Sequence, residues 1–415
     1  MKIIKFAYFY ESYLREFYGR TPDLAGRPYA EQKKALDADF FGWADSWSHA
    51  LSAMGHEVFE VTVNAADLQR AWARENGMAG FADVPLKSIA VEQARRFGPD
   101  VVFYESNDPE IVLQLKKEYK KPCVFLGWAG SAFSPKDPWG EMDAVISCAR
   151  ESVDYFRSAG ITAYQMHHAY DGRINKSLEN VVKSSSLIFI GQIIRRSQFH
   201  IERDEFLEKL TRTNDLEIYC PVNDPNGVNR NAFDDLKICV WRSAYRLFST
   251  LKKAGVPITL LKKIPRLGRA AEMDSLPIFP LNPKLRKFMK PGVFGLDMYR
   301  VIKKAGLVLN IHADSSPKFA SNMRLFETTG VGTCLLTDWR DNLSEIFEPD
   351  REIVTYKSFS ECIDKIAWLK KNPAEVEKIA AAGNRRTLAD HTFEKRAAWL
   401  ESVIKEISGK KFNKN

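Results

Sequence analysis

The chain has 415 residues, of which 45% are hydrophobic and 27% are charged, with a formal net charge of +8 and a pI near 9.0. This length exceeds that at which single hydrophobic cores usually stop growing, so two domains are expected. The basic residues are spread along the chain, apart from a short tail at 410–415, which argues against nucleic acid and favours a basic cleft for a nucleoside diphosphate or a lipid phosphate.

The cysteine pattern and the apolar runs indicate the cellular setting. Six cysteines occur singly, without a C-x-x-C pair or histidines at metal-ligand spacing, so buried thiols and no metal site are predicted. The N-terminal run MKIIKFAYFYE meets a carboxylate after ten residues and has no cleavage site, which argues against a signal peptide. No run of 18 apolar residues is present, so a spanning helix is excluded. We expect a cytoplasmic protein with at most peripheral contact at the inner face of the membrane.

The first half alternates between strand and helix patterns, which predicts a doubly wound α/β domain over residues 1–171. Strands are predicted at 2–9, 56–63, 100–104, 122–127 and 143–147, and helices at 29–54, 84–97, 109–119 and 151–159. The polar stretch 172–186 is predicted to be an interdomain linker.

Four candidate catalytic residues lie in this half, where loops leaving the carboxyl ends of strands face the ligand crevice. Glu11 follows the first strand and could equally belong to a solvated loop. Asp45 is four residues before His49 on the predicted helix, so the two could form a general-base pair or a simple surface contact. Glu105 opens the polar tip ESND after the strand at 100–104. His167, in the run MHHAYD, is either catalytic or closes a strand edge.

The second half predicts another α/β domain over 187–389, with a poorly patterned insertion at about 221–291. Strands are predicted at 187–191, 216–220, 307–313 and 334–337, and helices at 203–212, 239–251, from 295, from about 323, at 360–370, at 373–388 and from 392. The last helix, capped by Asp390 or Thr392, is assigned to a separate C-terminal segment at 390–415.

Phosphate-binding features occur at two places in this half. Gly191 ends a predicted strand and is followed by Arg195 and Arg196, which suits a close approach of phosphate oxygens to backbone and guanidinium groups. Ser321 or Asn322 could cap the helix that starts near Met323, whose free N–H groups would attract an anion. Glu327 lies about one turn further on, where its oxygens could accept hydrogen bonds from a vicinal diol such as a ribose. Together these features suggest a nucleotide.

Several segments resemble the CgeB-like, or group 1-like, glycosyltransferases of bacteria. They are FYESYLREFYGRTPDLAGRPYAEQ, FGWADSWSHALSAMGHEV, NMRLFETTGVGTCLLTDWRDNLSEIFEPDREIVTYKSFSECIDKI and AAGNRRTLADHTFEKR. The resemblance implies a GT-B fold, in which two Rossmann-like domains face each other across a cleft. It also implies that the nucleotide sugar binds mainly to the C-terminal domain, that the acceptor binds mainly to the N-terminal domain, and that the last helix packs back on the first domain.

Relatives in the larger retaining group carry two glutamates eight positions apart, one near the sugar and one on the ribose. Glu327 matches the second, whereas Phe319 occupies the position of the first. Lys318, Asn322 or Arg324 could replace that contact. This departure leaves open whether the enzyme inverts or retains the sugar's configuration.

The resemblance implies transfer of a sugar from a nucleotide sugar, with UDP- or dTDP-sugars favoured, to a carbohydrate or lipid-linked glycan in the synthesis of surface polysaccharide. No D-x-D motif lies between strands, so no metal is expected, and Arg195, Arg196 and Arg324 would offset the diphosphate charge. An inverting enzyme would need a base among the four candidates, whereas a retaining one would not. A nucleotide-sugar 2-epimerase and a catalytically silent nucleotide-sugar-binding protein are the alternatives.

Overall fold

The computed structural model describes residues 1–119, 121–130, 137–193, 200–220, 232–262, 264, 268–272, 282–312 and 316–412. Contacts divide the chain into two compact units: unit 1 comprises Met1–Ile188 and Val293–Asn415, and unit 2 comprises Phe189–Gly292. This division groups the last third of the chain with the first half. It therefore differs from the boundaries at 171 and 187 that the sequence suggests, which stay a prediction.

The first half of the chain forms a six-stranded parallel sheet with the order β2-β1-β3-β4-β5-β6. Its strands are β1 (Lys2–Ala7), β2 (Glu57–Thr62), β3 (Val101–Glu105), β4 (Val124–Trp128), β5 (Ala144–Ser147) and β6 (Ala163–Gln165). The register sets Lys5 of β1 opposite Glu60 of β2, and Ala7 of β1 opposite Glu105 of β3. Residues two apart in a strand share a face, so Lys5 and the two glutamates meet on one side of the sheet.

A second six-stranded sheet has the order β12-β11-β10-β7-β8-β9. Its strands are β7 (Leu187–Ile190), β8 (Leu216–Tyr219), β9 (Met289–Lys290), β10 (Leu307–Asn310), β11 (Cys334–Asp338) and β12 (Val354–Tyr356). The pairs β10–β11, β11–β12 and β8–β9 are parallel. The predicted fold class, with two Rossmann-like α/β domains, is confirmed.

Sixteen α-helices connect and cover the strands in the described residues. They are α1 (Glu11–Arg20), α2 (Tyr29–Ala38), α3 (Ser46–Ser52), α4 (Ala66–Glu75), α5 (Leu86–Phe97), α6 (Glu110–Glu118), α7 (Arg150–Ser158), α8 (Ile201–Leu210), α9 (Ala232–Lys253), α10 (Ile258–Leu261), α11 (Gly295–Lys304), α12 (Arg324–Gly330), α13 (Leu343–Ile346), α14 (Phe359–Lys371), α15 (Pro373–Asp390) and α16 (Phe393–Phe412). Among these helices, none is both long and apolar enough to cross a bilayer.

The predicted long helix over 29–54 is wrong, because the chain turns between α2 and α3. Phe40, Gly42 and Ala44 have φ angles of 51°, 62° and 40°, in the left-handed region that ends a helix. The turn places Phe41 on the ring of Tyr13, at a centroid distance of 3.7 Å, while Trp43 packs into the core of the first sheet. A continuous helix could not direct these two adjacent aromatic side chains into separate clusters.

Two further segments contain local structure that the sequence does not predict. Only the three residues 8–10 separate β1 from α1, which begins at Glu11, so Glu11 lies in a helix and not in a loop. The predicted linker at 172–186 begins with a 3-10 helix, Gly172–Leu178, whose Ile174 and Leu178 are 2% and 1% exposed. The polar residues around these two side chains obscure the apolar pattern in the sequence.

The C-terminal helix α16 packs on the first sheet. Its apolar side joins the core formed by β1, β3, β4, β5 and α3, through Phe393, Ala397, Leu400, Val403, Ile404 and Ile407. Just before this helix, the N–H of Tyr170 donates to the carbonyl of His391 at 2.8 Å, and Tyr170 forms a parallel bridge with Thr392. The last helix of the chain thus completes the hydrophobic core of the first sheet.

We predict that Leu400→Ala lowers the free energy of unfolding of the chain by about 2–5 kcal/mol, because it removes a fully buried side chain and leaves a cavity. Urea unfolding followed by circular dichroism measures this loss. Leu113→Ala serves as the control, since Leu113 is 46% exposed. An equal, small effect of both substitutions would contradict the packing of α16 described above.

Candidate active site

A buried polar group lies at the carboxyl ends of β10 and β11. The side-chain amide of Asn310 donates to the hydroxyl of Thr337 at 2.9 Å, and the amide of Asn322 donates to the Asn310 oxygen at 2.7 Å. Asn310 and Thr337 are 3% and 0% exposed. These bonds satisfy polar groups that would otherwise be costly to bury, and they tie the segment before α12 to the sheet.

His312, just beyond β10, forms a dyad with Asp338. The Asp338 carboxylate lies 2.7 Å from Nδ1 of His312, accepts a bond from the His312 backbone N–H at 3.0 Å, and pairs with the guanidinium of Arg340 at 2.8 Å. Burial raises the pKa of Asp338, but His312 and Arg340 outweigh it and hold that pKa below its ordinary value. Nδ1 faces the carboxylate, and the other ring nitrogen, Nε2, points away from it. Nε2 is buried and has no hydrogen-bond partner among the described residues.

Glu327 occupies the first turn of α12 and is 6% exposed. Its carboxylate pairs with Nη1 of Arg324 at 2.8 Å, one turn earlier, and Nη1 also contacts the sulfur of Met298 at 3.3 Å. Nε of Arg324 is buried without a hydrogen-bond partner in the described parts of the chain. Burial raises the pKa of Glu327, and the charge of Arg324 opposes that rise. The carboxylate and the guanidinium therefore hold each other, and Nε of Arg324 is left without a partner among the described residues.

Two tyrosines pack near the end of α12. The rings of Tyr170 and Tyr299 lie 6.2 Å apart, edge to face, and Tyr299 is 4% exposed. Burial raises the pKa of both phenols, and the negative charge of Glu327 raises them further. A Cβ atom on Gly330 would lie 2.3 Å from the Tyr170 ring, so glycine is required for this close approach. The end of α12 is thereby fixed against the tyrosine.

The predicted cap of α12 is not formed. The N-cap position is Met323, with no side-chain cap hydrogen bond, and α12 has only seven residues. Asn322 is used instead in the bond to Asn310. This bond to the sheet thus replaces a local cap.

The loop before α12, at 316–320, is held by Glu151 of α7. One oxygen of the Glu151 carboxylate accepts bonds from the N–H groups of Lys318 and Phe319, each at 3.2 Å, and the other accepts from the Ser316 hydroxyl at 3.1 Å. The ring of Phe319 lies 4.8 Å from the guanidinium of Arg150. Phe319, at the position expected for a sugar-binding glutamate, therefore stacks on a cation.

Of the four candidate catalytic residues, Glu105 has the most distinctive setting. It lies 3.1 Å from the ammonium of Lys5, which is 2% exposed and also lies 3.5 Å from Glu60. Burial raises the pKa of Glu105, and Lys5 lowers it. Desolvation, followed by the negative charges of Glu105 and Glu327, raises the pKa of the Tyr10 phenol.

The other three candidates are engaged differently. Glu11 is exposed at the start of α1 and accepts a bond from Asn64 at 3.1 Å. Asp45 pairs with Arg173 at 2.6 Å rather than orienting His49, which is exposed. Burial, followed by the charge of Arg396, lowers the pKa of His167 to about 4, which makes its imidazole a poor base.

Of the three residues predicted to bind phosphate after β7, the structure describes only Gly191. Arg195 and Arg196 lie outside the described residues. Gly191 follows β7, donates its N–H to the carbonyl of Tyr219 at 3.1 Å, and would bring a Cβ within 3.0 Å of the Phe189 ring. In the described residues, no group of three or more potential ligands that could hold a metal ion occurs.

Sequence reasoning missed several residues of this region. His312 and Asp338 are 26 residues apart, so no local spacing identifies them as a pair. Lys5 lies inside an apolar strand, where a lone charged residue in a run predicted to be covered on both faces was a usable signal. Tyr170 and Tyr299 belong to distant segments, and nothing in the sequence links them.

Comparisons with known proteins agree with this architecture. Residues 281–402 match a family model described as "Glycosyl transferase-like". No curated protein matches the chain. A solved glycosyltransferase from Rickettsia africae ESF-5 is similar, with a TM-score of 0.53 and 11% identity over 98% of each chain. Sucrose-phosphate synthase from Thermosynechococcus elongatus has a TM-score of 0.51 and 10% identity, over 98% of this chain and 99% of the other.

A third similar structure is Anabaena HepE in complex with UDP-glucose, with a TM-score of 0.51 and 11% identity over 97% of this chain and 100% of the other. At such low identity these likenesses concern the fold. The chain therefore has the GT-B fold, and its part at 281–402, which contains Glu327 and His312, has a glycosyltransferase-like sequence.

We predict that Asp338→Asn lowers the free energy of unfolding by about 1.5–3 kcal/mol at neutral pH, because the charge-assisted bonds to His312 and Arg340 are lost. The folded-state pKa of Asp338 is lowered, so its stabilising effect is present above the unfolded-state pKa and disappears as the pH falls through the folded one. The difference from wild type should therefore shrink below about pH 4.

Urea unfolding at about pH 7 and about pH 3 tests this prediction. Asp364→Asn, which removes an exposed carboxylate, should have a small effect at both pH values. A deficit of Asp338→Asn that is the same in acid and at neutral pH would rule out the proposed role of the charge.

Proposed function

We propose that this chain is a metal-independent glycosyltransferase that moves a sugar from a uridine diphosphate sugar to a carbohydrate or lipid-linked glycan acceptor. The observation that carries the proposal is the buried Glu327–Arg324 pair in the first turn of α12, within the segment of glycosyltransferase-like sequence. In this position a carboxylate can accept from a ribose diol while the neighbouring guanidinium faces the diphosphate. Within the GT-B fold, the CgeB-like group in bacterial surface polysaccharide synthesis is the setting we infer.

The donor side would be built from α12 and the ends of β10 and β11. The buried Nε of Arg324, without a partner among the described residues, is available to a phosphate oxygen. Arg195 and Arg196 are proposed to add further positive charge. The complex of HepE with UDP-glucose supports a uridine nucleotide. Because dTDP lacks the ribose 2′-hydroxyl, recognition of a diol by Glu327 favours UDP over dTDP.

The acceptor side would be built around Glu105. Its carboxylate is held by Lys5, and burial brings its pKa closer to the range in which a carboxylate accepts a proton efficiently. In transfer, the bond between the sugar C1 and the phosphate oxygen breaks and a bond from C1 to the acceptor oxygen forms. The acceptor proton passes to Glu105 if the configuration inverts, or to the leaving phosphate if it is retained.

No metal is needed in this proposal, because cationic side chains offset the charge that builds on the leaving diphosphate. Glu11, Asp45 and His167 are weaker candidates for the base. Asp45 is already held by Arg173, and the pKa of His167 is about 4. Glu11 lies in the exposed first turn of α1, where its carboxylate accepts a hydrogen bond from Asn64 and, among the described residues, no cation such as Lys5 pairs with it to hold it in place.

We predict that Glu327→Ala weakens UDP binding by about 1.5–3 kcal/mol, the value of charge-assisted bonds to the ribose hydroxyls. Isothermal titration calorimetry with UDP and 2′-deoxy-UDP turns this into a double-mutant cycle. Wild type should prefer UDP, and the preference should vanish in Glu327→Ala. Glu394→Ala, which removes an exposed carboxylate on α16, should leave both affinities unchanged. If Glu327→Ala still preferred UDP over 2′-deoxy-UDP, the Glu327 carboxylate would not be the group that binds the ribose.

We predict that Glu105→Gln slows release of UDP from a UDP-sugar by about 10²–10⁴-fold, the range for loss of a general base, without changing UDP affinity. Enzyme-coupled detection of UDP measures the rate, with water or an added sugar as acceptor. Glu57→Gln, at an exposed carboxylate on β2, is the control. If Glu105→Gln released UDP at the wild-type rate, Glu105 would not be the base, and the acceptor proton would pass to the leaving phosphate. Epimerised nucleotide sugar appearing without UDP release would contradict the transferase itself.

A further inference from the structure

The basic excess of the chain is confined to unit 2. Residues 189–292 hold 19 of the 61 Lys and Arg but only 11 of the 53 Asp and Glu, which gives a net charge of +8. The rest of the chain holds 42 of each sign and is neutral. Within 236–271 there are nine basic residues and no acidic one. The even spread of individual basic residues therefore conceals a concentration of net charge.

The helix α9 in this unit has one packed side. Ala244 and Phe248 are 5% and 2% exposed and pack with Leu261, Ala270 and Ala271 of the following short helices. These contacts form a small core within unit 2. They fix the orientation of α9, so the residues on its other sides are presented consistently to solvent.

A second row of aliphatic residues on α9 is uncovered. Leu236, Val240 and Leu247 are 57%, 45% and 56% exposed. Spacings of four and seven residues place them on one side of the helix. Leu260 and Ile264, just beyond it, are 57% and 38% exposed. Five large aliphatic side chains within 30 residues thus face solvent. Single exposed aliphatic residues are common on protein surfaces, whereas a group of them marks an interaction surface.

Basic residues lie beside this row. Arg246 and Lys253 are seven residues apart on α9, so they form a second exposed row along the same helix. Lys237 is exposed near the beginning of the helix. The helix therefore presents an aliphatic row and a basic row to solvent, a combination typical of helices that lie in the interface of a bilayer.

We propose that these eight residues form a docking surface for an anionic lipid bilayer, which we call the α9 surface. The aliphatic side chains would enter the boundary between headgroups and acyl chains, and the basic side chains would contact anionic headgroups. The helix is not apolar enough to cross the membrane, so it lies along it. This inference does not depend on the proposed enzymatic activity.

Two other occupants fit the surface less well. Nucleic acid would use the basic residues through its phosphates, and single strands would also stack on aromatic side chains, but neither mode of binding gives exposed leucines and valine a role. A second copy of the chain in a symmetric contact would bring two units of charge +8 together. An anionic bilayer satisfies both the aliphatic row and the charge.

Co-sedimentation of the full chain with vesicles tests the proposal. Vesicles of phosphatidylcholine alone are compared with vesicles that contain about 30% phosphatidylglycerol. We expect sedimentation with the anionic vesicles at about 0.1 M salt, little with the neutral ones, and release at about 1 M salt, where charges are screened. Absence of sedimentation with anionic vesicles at low salt would overturn the proposal.

Two double variants locate the contact. Leu236→Ser with Leu247→Ser, and Arg246→Glu with Lys253→Glu, should each weaken partition into anionic vesicles by about tenfold or more. Lys34→Glu with Lys371→Glu changes the net charge equally at exposed positions of unit 1 and should bind as wild type does. Equal weakening by this control would show that only total charge matters and would overturn the assignment to α9.

A fluorescent probe gives a readout that does not depend on any of these variants folding. Cys239 lies on α9 between Leu236 and Val240 and is exposed, whereas the other five cysteines are buried. A polarity-sensitive dye on Cys239 should brighten and shift to shorter wavelength with anionic vesicles. A dye that stays in an aqueous environment while the protein sediments would assign binding to another surface. Complete release from the vesicles by added RNA would identify a nucleic-acid surface instead.

Discussion

The packing of Tyr170 against Gly330 is the contact on which the candidate active site depends. Tyr170 is held by a backbone bond to His391, just before α16 crosses to the first sheet, and its ring leaves no room for a Cβ at Gly330. Because α12 has only seven residues, fixing its end fixes Glu327 and Arg324 as well. The crossing of the chain therefore does more than complete the first core. It also fixes the end of α12, and with it the Glu327 carboxylate, against Tyr170.

Buried charges in this region occur with partners, and the pairing determines what each group can do. Lys5 would be costly to bury alone, and two glutamates on neighbouring strands compensate it. Glu327 and Arg324 compensate each other, as do Asp338, His312 and Arg340. Three buried nitrogens in the last two groups have no hydrogen-bond partner among the described residues: Nε of Arg324 in the first, and Nε2 of His312 and Nε of Arg340 in the second. A rigid set of charges with unused hydrogen-bonding capacity is preorganised for a polar ligand, because little reorganisation is needed on binding.

The sequence predicted the strands and helices of this region well but not how their side chains pair. Alternation of strand and helix, and the apolar runs at β1, β3, β10 and β11, were sufficient for two parallel sheets, because these patterns are local. The break between α2 and α3 was missed, since it depends on Phe41 packing on Tyr13 nearly 30 residues earlier. The capping role of Ser321 or Asn322 was wrong for a similar reason: a side chain that can cap a helix can also bond to a distant strand, and Asn310 offered that partner. Tertiary contacts, not local preference, decided both cases.

The distribution of charge separates two tasks within one chain. Unit 1, which contains the Glu327 and Glu105 groups, is neutral overall and offers no general attraction to an anion, so the proposed phosphate binding would need specific donors such as Arg324. Unit 2 carries the whole excess of positive charge, yet its exposed basic residues on α9 lie beside aliphatic side chains rather than among buried polar partners. A preorganised group of charges suits a ligand that must be bound in one orientation. Exposed aliphatic area and net charge are sufficient for a surface that only has to hold the chain close to a membrane. For an enzyme whose acceptor is lipid-linked, holding the chain at the bilayer would convert a search in three dimensions into one along the membrane, and raise the effective concentration of acceptor without any new contact in the active site.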